Sequence, residues 1–140
     1  MKAALLDTNV VLALAWPNHQ HHAPAHAWFA SHAKEGWATC AFTQLGFIRL
    51  SSNPAYTPSA VSPRDAAALL RRWTGLKTHR FWPSPNADSA TIYAHTIGHQ
   101  QVNDAWLVEV ARRNVGRLVT LDGRLRVHAP EPGLVEVIPT

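Results

Sequence analysis

KAALLDTNVVLALAWP, residues 2–17, is the stretch that decides the fold class. Residues 2–6 form a short, largely apolar run that ends at Asp7, a pattern typical of a buried strand followed by a polar turn. Residues 10–16 are apolar almost throughout, and Pro17, which cannot lie inside a helix, ends this run. The stretch therefore predicts a buried strand and then a short buried helix.

The same alternation of short apolar runs and helical segments continues along the chain. Further strands are predicted at residues 37–40, 79–82, 117–121 and 134–138. Further helices are predicted at residues 24–34, 43–50, 62–75, 88–97 and 103–113, with Thr43, Ser62 and Asp88 as N-caps of the middle three. Short strands that alternate with helices favour a parallel sheet covered on both faces. We therefore predict an α/β fold, a three-layer α/β/α sandwich around a mainly parallel, five-stranded sheet.

The composition is typical of one compact domain, which we place at residues 1–140. The chain is 46% apolar, and no apolar run approaches the roughly 20 residues that span a bilayer. A single cysteine, Cys40, excludes an internal disulfide and favours a reducing compartment, so we predict a cytoplasmic protein. The net charge of +4 slightly favours an anionic partner such as nucleic acid.

Three aspartates occupy positions that a parallel sheet would bring together. Asp7 and Asp122 follow predicted strands, and Asp104 lies in the first turn of a predicted helix. Carboxyl ends of strands and amino ends of helices share one edge of an open α/β sheet, and that edge carries the site. Each aspartate alone has a structural explanation: a helix cap for Asp7, the helix dipole for Asp104, and a turn with Gly123 for Asp122.

The three together indicate a metal site. Clustered carboxylates repel one another unless a cation is bound among them. Magnesium prefers hard oxygen ligands and keeps several waters, so two or three carboxylates suit it. Such an ion can activate water and stabilise the charge that builds on a phosphate.

Three segments of the chain resemble, in the same order, the acidic motifs of the PIN-domain ribonucleases. They are LLDTNVV (residues 5–11), NDAWL (residues 103–107) and LVTLD (residues 118–122). The resemblance extends over nearly the whole chain and is greatest to the VapC toxins of bacterial VapBC toxin–antitoxin pairs. It implies a hydrolase, a Mg²⁺- or Mn²⁺-dependent endoribonuclease that forms a homodimer. It also implies a tRNA or rRNA substrate and a cognate VapB-like antitoxin that blocks the site.

The resemblance also implies roles for single residues. Asp7, Asp104 and Asp122 would be catalytic metal ligands. Gln44 would assist them at a position where the family usually has a glutamate. The residues that would orient the ligands or a water are Thr8, Asn9 and Thr120. Two further side chains, Arg49 and His19, are predicted to contact RNA.

Gln44 keeps an alternative open. It adds no negative charge, and residues 36–64 contain no Asp or Glu that could replace the usual glutamate. The chain could therefore be a catalytically impaired PIN domain that binds RNA or a partner. A phosphoryl-transfer enzyme with Asp7 as nucleophile is a third possibility, but position 9, where such enzymes usually carry a second acid, is Asn9.

Overall fold

The structure is a computed structural model that describes residues 2–140. These residues form one parallel sheet of five strands in the order β3-β2-β1-β4-β5. The strands are β1 (Ala4–Leu6), β2 (Trp37–Thr39), β3 (His79–Phe81), β4 (Arg117–Thr120) and β5 (Val135–Val137). This arrangement confirms the predicted α/β fold, and each strand lies within its predicted range.

Five α-helices connect the strands. They are α1 (Thr8–Ala15), α2 (His22–His32), α3 (Ala41–Ser51), α4 (Pro63–Thr74) and α5 (Val102–Arg113). Four 3₁₀ segments lie at Ala33–Glu35, Ala90–Tyr93, His99–Gln101 and Gly123–His128. None of the helices in the described part of the chain is both long and apolar enough to cross a membrane.

The sheet separates two apolar cores because successive side chains of a strand point to opposite faces. Leu6 of β1 packs with residues of α1, α2, α3 and α4 on one face. Leu5, its neighbour, packs with residues of α5 on the other face. These two cores give the three-layer sandwich.

Strand register places the ends of β1 and β4 side by side. Leu6 pairs with Val119, and the Asp7 backbone N–H donates to the Val119 carbonyl at 2.9 Å. Asp7, which follows β1, therefore lies next to Thr120, the last residue of β4. Asp7 thus lies at the carboxyl edge of the sheet, the edge where the sequence predicts a site.

The structure differs from three of the predicted helices, and α2 begins at His22, two residues before its predicted start. The helix predicted at residues 88–97 is only the 3₁₀ segment Ala90–Tyr93, whose one buried residue is Ile92. Because Ile97 is 94% exposed, the segment has too little apolar surface to hold a helix against the sheet. Helix α3 begins at Ala41 rather than after Thr43, and the Thr43 hydroxyl accepts from the backbone N–H of the true N-cap, Cys40, at 3.1 Å.

Candidate active site

Asp7 is the most buried acid at the carboxyl edge of the sheet. Its side chain caps α1, accepts the Thr8 backbone N–H at 2.8 Å, and accepts the Thr120 hydroxyl at 2.7 Å. Burial raises the pKa of Asp7 to about 6, against the lowering effect of these two hydrogen bonds. The negative charges of Asp104 and Asp122 raise this pKa further. Asp7 is thus held in place by two hydrogen bonds while burial disfavours its charged form.

Thr120 joins the ends of β1 and β4. Besides donating to Asp7, its hydroxyl oxygen accepts the Asp122 backbone N–H at 3.0 Å and the Asn9 side-chain amide at 3.4 Å. Asn9 also accepts the Leu121 backbone N–H at 3.3 Å. The hydroxyl therefore fixes two of the three predicted acids relative to each other, and it is fully buried.

Thr8 contributes through its backbone and through packing. Its side chain lies against Gly46 of α3, where an added Cβ would come within 2.9 Å of the Thr8 hydroxyl oxygen. Glycine at this position therefore lets α3 approach the start of α1. The close contact sets the distance between the Asp7 turn and the first turns of α3.

Asp104 lies in the first turn of α5, as predicted, and is half-buried. Burial and the negative charge of Asp122 raise its pKa, while His128 and Arg124 act in the opposite direction. Asp7 and Asp122 follow β1 and β4, and Asp104 lies in the first turn of α5, so the topology places all three acids at the carboxyl edge of the sheet.

Asp122 differs from the other two acids because a guanidinium group covers it. Arg124 Nε lies 3.0 and 3.1 Å from the two carboxylate oxygens, and Arg124 Nη2 lies 2.8 Å from Oδ2. This contact holds the pKa of Asp122 below its usual value. The sequence analysis missed Arg124, since an arginine two residues after an acid is too common to predict such a contact.

Gln44 lies in the first part of α3, but its amide points to a neighbouring strand. The Gln44 Nε2 donates to the Thr39 hydroxyl at 3.0 Å, and the same hydroxyl shares a 2.8 Å hydrogen bond with His79 Nε2. Gln44 is therefore oriented by the ends of β2 and β3. Among the contacts of the described residues, its amide donates to Thr39 and not to the three carboxylates.

The two predicted RNA contacts lie away from the acids along the helices. His19 follows the end of α1 opposite to Asp7, and an eight-residue helix is about 12 Å long. Arg49 lies in the last turn of α3 and is exposed. Their predicted contacts with RNA stay predictions, and they belong to surfaces separate from the acidic edge.

The donor set fits a hard divalent cation. Burial disfavours the charged forms of Asp7 and Asp104, Asp122 lies at the same edge of the sheet, and carboxylate oxygens are the ligands that Mg²⁺ and Mn²⁺ prefer. Within residues 2–140, however, no three His, Cys, Asp or Glu side chains are close enough together to hold a metal ion as they stand. Since Arg124 engages both oxygens of Asp122, that carboxylate would have to exchange its partner to become a ligand.

A polar cavity of about 360 Å³ adjoins the acids. Its lining residues are Gln100, Gln101, Asp104, Arg124 and His128. His128 is 5% exposed, and its Nδ1 is buried without a hydrogen-bond partner among the described residues. The cavity shares Asp104 with the acidic edge, so a group bound in it would lie beside the three carboxylates.

Comparison with known proteins gives one family. The family model described as PIN domain matches residues 4–129. Ribonuclease VapC39 of Mycobacterium tuberculosis is 42% identical over 142 aligned residues, which cover 96% of this chain and 99% of that protein. Ribonuclease VapC38 of the same organism is 43% identical over 123 residues, which cover 85% of this chain and 84% of that protein.

A solved structure shows the same fold. The crystal structure of PAE2754 from Pyrobaculum aerophilum aligns with a TM-score of 0.63 and covers 97% of this chain and 84% of that chain. Sequence identity is only 19%, so this likeness concerns the arrangement of strands and helices.

Proposed function

The chain belongs to the PIN-domain family, among its VapC-type ribonucleases, and on that premise we propose that it is a metal-dependent endoribonuclease that hydrolyses RNA phosphodiester bonds. The observation that carries the proposal is the buried Asp7 carboxylate, whose pKa the charges of Asp104 and Asp122 help to raise. Such a cluster is costly for the fold unless it serves to bind a cation.

Each residue of the edge has a part in this proposal. Asp7, Asp104 and Asp122 hold Mg²⁺ or Mn²⁺, which when bound activates water and stabilises the charge on the phosphate. Thr120 orients Asp7 by donating to it and positions the backbone of Asp122 by accepting from it. Gln44, oriented by Thr39, assists as a neutral side chain.

The biological setting belongs to the proposal as well. By its resemblance to VapC toxins, the chain acts as the toxin of a type II toxin–antitoxin pair. A cognate VapB-like antitoxin covers the acidic edge, the toxin forms a homodimer, and the substrate is tRNA or rRNA in the cytoplasm. The net charge of +4 supports a polyanionic substrate, because the three acids would be neutralised by the ion.

Cleavage of total RNA tests the proposal. We expect the purified protein to cut RNA in Mg²⁺ or Mn²⁺ and to stop when EDTA is added. The Asp7→Asn variant should lose cleavage, while Asp88→Asn, which removes the same charge from an exposed loop position, should keep it. Cleavage that persists in EDTA, or that survives Asp7→Asn, would refute the metal-dependent mechanism.

A second candidate function is a PIN domain that binds RNA without cutting it. Gln44 favours it, because its amide is bound to Thr39 and supplies no charge to the acidic edge. Titration with Mn²⁺ separates the two functions. The nuclease requires binding that EDTA reverses, whereas RNA binding by a protein that takes up no Mn²⁺ would support the second candidate.

A further inference from the structure

Arg124 makes the closest charged contact at the acidic edge. Its guanidinium engages both oxygens of Asp122 at 2.8 to 3.1 Å, and its backbone N–H donates to Asp122 Oδ1 at 3.0 Å. The Arg124 side chain is 90% exposed, whereas that of Asp122 is 24% exposed. The guanidinium of Arg124 is therefore a counterion at the surface of the site, and packing does little to hold it in place.

A guanidinium and a divalent cation compete for the same carboxylate. Asp122 cannot offer its oxygens fully to an ion while both accept hydrogen bonds from Arg124. An exposed ion pair contributes little to stability, so its exchange for a divalent ion is inexpensive. Because only Gly123 separates Arg124 from Asp122, the released guanidinium stays within reach of the site.

The cavity beside Asp104 offers the released guanidinium a place to act. Besides Arg124 and the Asp104 carboxylate, the cavity is lined by the amides of Gln100 and Gln101 and the imidazole of His128, which can donate hydrogen bonds. His128 is nine-tenths buried, and its Nδ1 has no partner among the described residues. Helix α5 also begins at this cavity, and no side chain caps it. With the charge of Asp104 balanced by a divalent ion, these donors at the positive end of a helix would suit a phosphate.

We propose that Arg124 is the resident counterion of Asp122, that a divalent ion displaces it, and that it then binds an RNA phosphate in the cavity lined by Gln100, Gln101 and His128. This inference rests on the proposed function, because the phosphate belongs to the RNA that is cut. Arg124 thus has two alternating partners: the Asp122 carboxylate before the divalent ion binds, and an RNA phosphate after it binds.

Mn²⁺ binding tests the first half. In calorimetric titration, Arg124→Gln should bind Mn²⁺ about two- to fivefold more tightly than the wild type, since an exposed ion pair is lost. Arg126→Gln is the matched control. It removes the same charge from the same 3₁₀ segment, and Arg126 lines a different cavity with Lys2 and Arg117. An affinity of Arg124→Gln that equals or falls below that of the control would overturn the proposal.

RNA kinetics test the second half. The same Arg124→Gln variant should raise the KM for a short RNA substrate several-fold in Mn²⁺. The slope of log KM against log salt should fall by about 0.7, the value for one lost phosphate contact to a single strand. Arg124→Lys should recover part of the loss, because lysine keeps the charge but not the bidentate geometry. An unchanged KM and an unchanged salt slope would overturn the proposal.

The two measurements separate this inference from the proposed function. If the wild type binds Mn²⁺ but does not cut RNA, the endoribonuclease proposal fails, and the phosphate half of this inference fails with it. The competition at Asp122 is then still decided by the Mn²⁺ affinities of Arg124→Gln and Arg126→Gln. If the wild type cuts RNA and the Arg124 variants behave like the control, this inference alone is refuted.

Discussion

Helix α5 carries an acid near each end, and the surroundings of the two acids are opposite. Burial and the charge of Asp122 raise the pKa of Asp104, in the first turn. Burial acts in the same direction on Glu109, but hydrogen bonds from Arg113 and Arg112 outweigh it and hold the pKa of Glu109 below its usual value. Helix α5 thus carries Asp104, whose charge is not fully balanced, and Glu109, whose charge is balanced by two arginines.

The same difference separates other acids of the chain from those of the acidic edge. Away from the acidic edge, three glutamates are paired with arginines: Arg112 bridges Glu109 and Glu131, and Arg117 binds Glu136 at 2.8 Å. At the acidic edge, Asp7 and Asp104 have raised pKa values, and only Asp122 has a guanidinium partner. Glu109, Glu131 and Glu136 thus have arginine partners, whereas burial and neighbouring negative charge raise the pKa values of Asp7 and Asp104.

Strand β4 shows the same division. Its first residue, Arg117, is a buried structural cation whose guanidinium also donates to the Lys2 carbonyl. Its last residue, Thr120, binds Asp7 and the backbone of Asp122. The buried ion pair of Arg117 and the hydroxyl that binds Asp7 therefore lie at opposite ends of β4.

The largest expected effect, a loss of RNA cleavage, comes from replacing one of the acids of α5 by its amide. Asp104→Asn should lower the rate of RNA cleavage by roughly 100- to 1000-fold, the range seen when one charge-stabilising group is lost. Glu109→Gln should leave the rate within about twofold while lowering the free energy of unfolding by about 1 kcal/mol. Cleavage rates and urea unfolding of both variants measure this. Equal losses of activity would abolish the distinction between the two ends of the helix.

The next effect is a pH dependence of stability that Asp7 causes. Its pKa is raised from 3.8 to about 6 in the folded protein, so the folded state binds this proton more tightly than the unfolded chain. The resulting stability is fully present below about pH 4 and is lost as the pH rises to about 6. The total loss is about 3 kcal/mol, since one pKa unit corresponds to about 1.4 kcal/mol.

Urea unfolding in EDTA between pH 4 and pH 8 measures this loss. The wild type should lose stability relative to Asp7→Asn as the pH rises, because the variant cannot ionise at this position. If the free energies of unfolding of the two proteins changed in parallel with pH, burial would not raise the pKa of Asp7.

Removal of the Thr120 hydroxyl should have a smaller effect on cleavage. Thr120→Val keeps the shape of a fully buried side chain but deletes the donor to Asp7 and the acceptor for the Asp122 N–H. Loss of a group that orients metal ligands typically costs about 10- to 100-fold, and we expect a loss in that range. Thr120→Ser should restore most of the activity. A Thr120→Val protein that is folded by circular dichroism and fully active would contradict the role of this hydroxyl.

The smallest effect tests the structural side. Glu131→Gln removes one of the two partners of Arg112 in an exposed pair, with side-chain exposures of 38% for Arg112 and 49% for Glu131. The free energy of unfolding should fall by at most about 1 kcal/mol, and RNA cleavage should not change. A marked loss of cleavage would show that the paired acids also serve the site.

The sequence predicts the convergence of the acids because it depends on topology alone. Apolar runs that end at Asp7 and Asp122, and a helix that starts near Asp104, suffice once the strands are parallel. The helix predicted at residues 88–97 is wrong, because hydrophobic periodicity does not show how little apolar surface these residues bury. The contacts of Gln44 with Thr39 and of Arg124 with Asp122 could not be predicted, since side-chain torsions select them and no sequence spacing encodes them.

A crystal of the protein soaked in Mn²⁺ tests the central claim most directly. The anomalous difference map should show density for at least one ion bounded by the carboxylates of Asp7, Asp104 and Asp122, with oxygen ligands at about 2.0 to 2.3 Å. A map without density among these three side chains, at an Mn²⁺ concentration that supports RNA cleavage, would contradict the account.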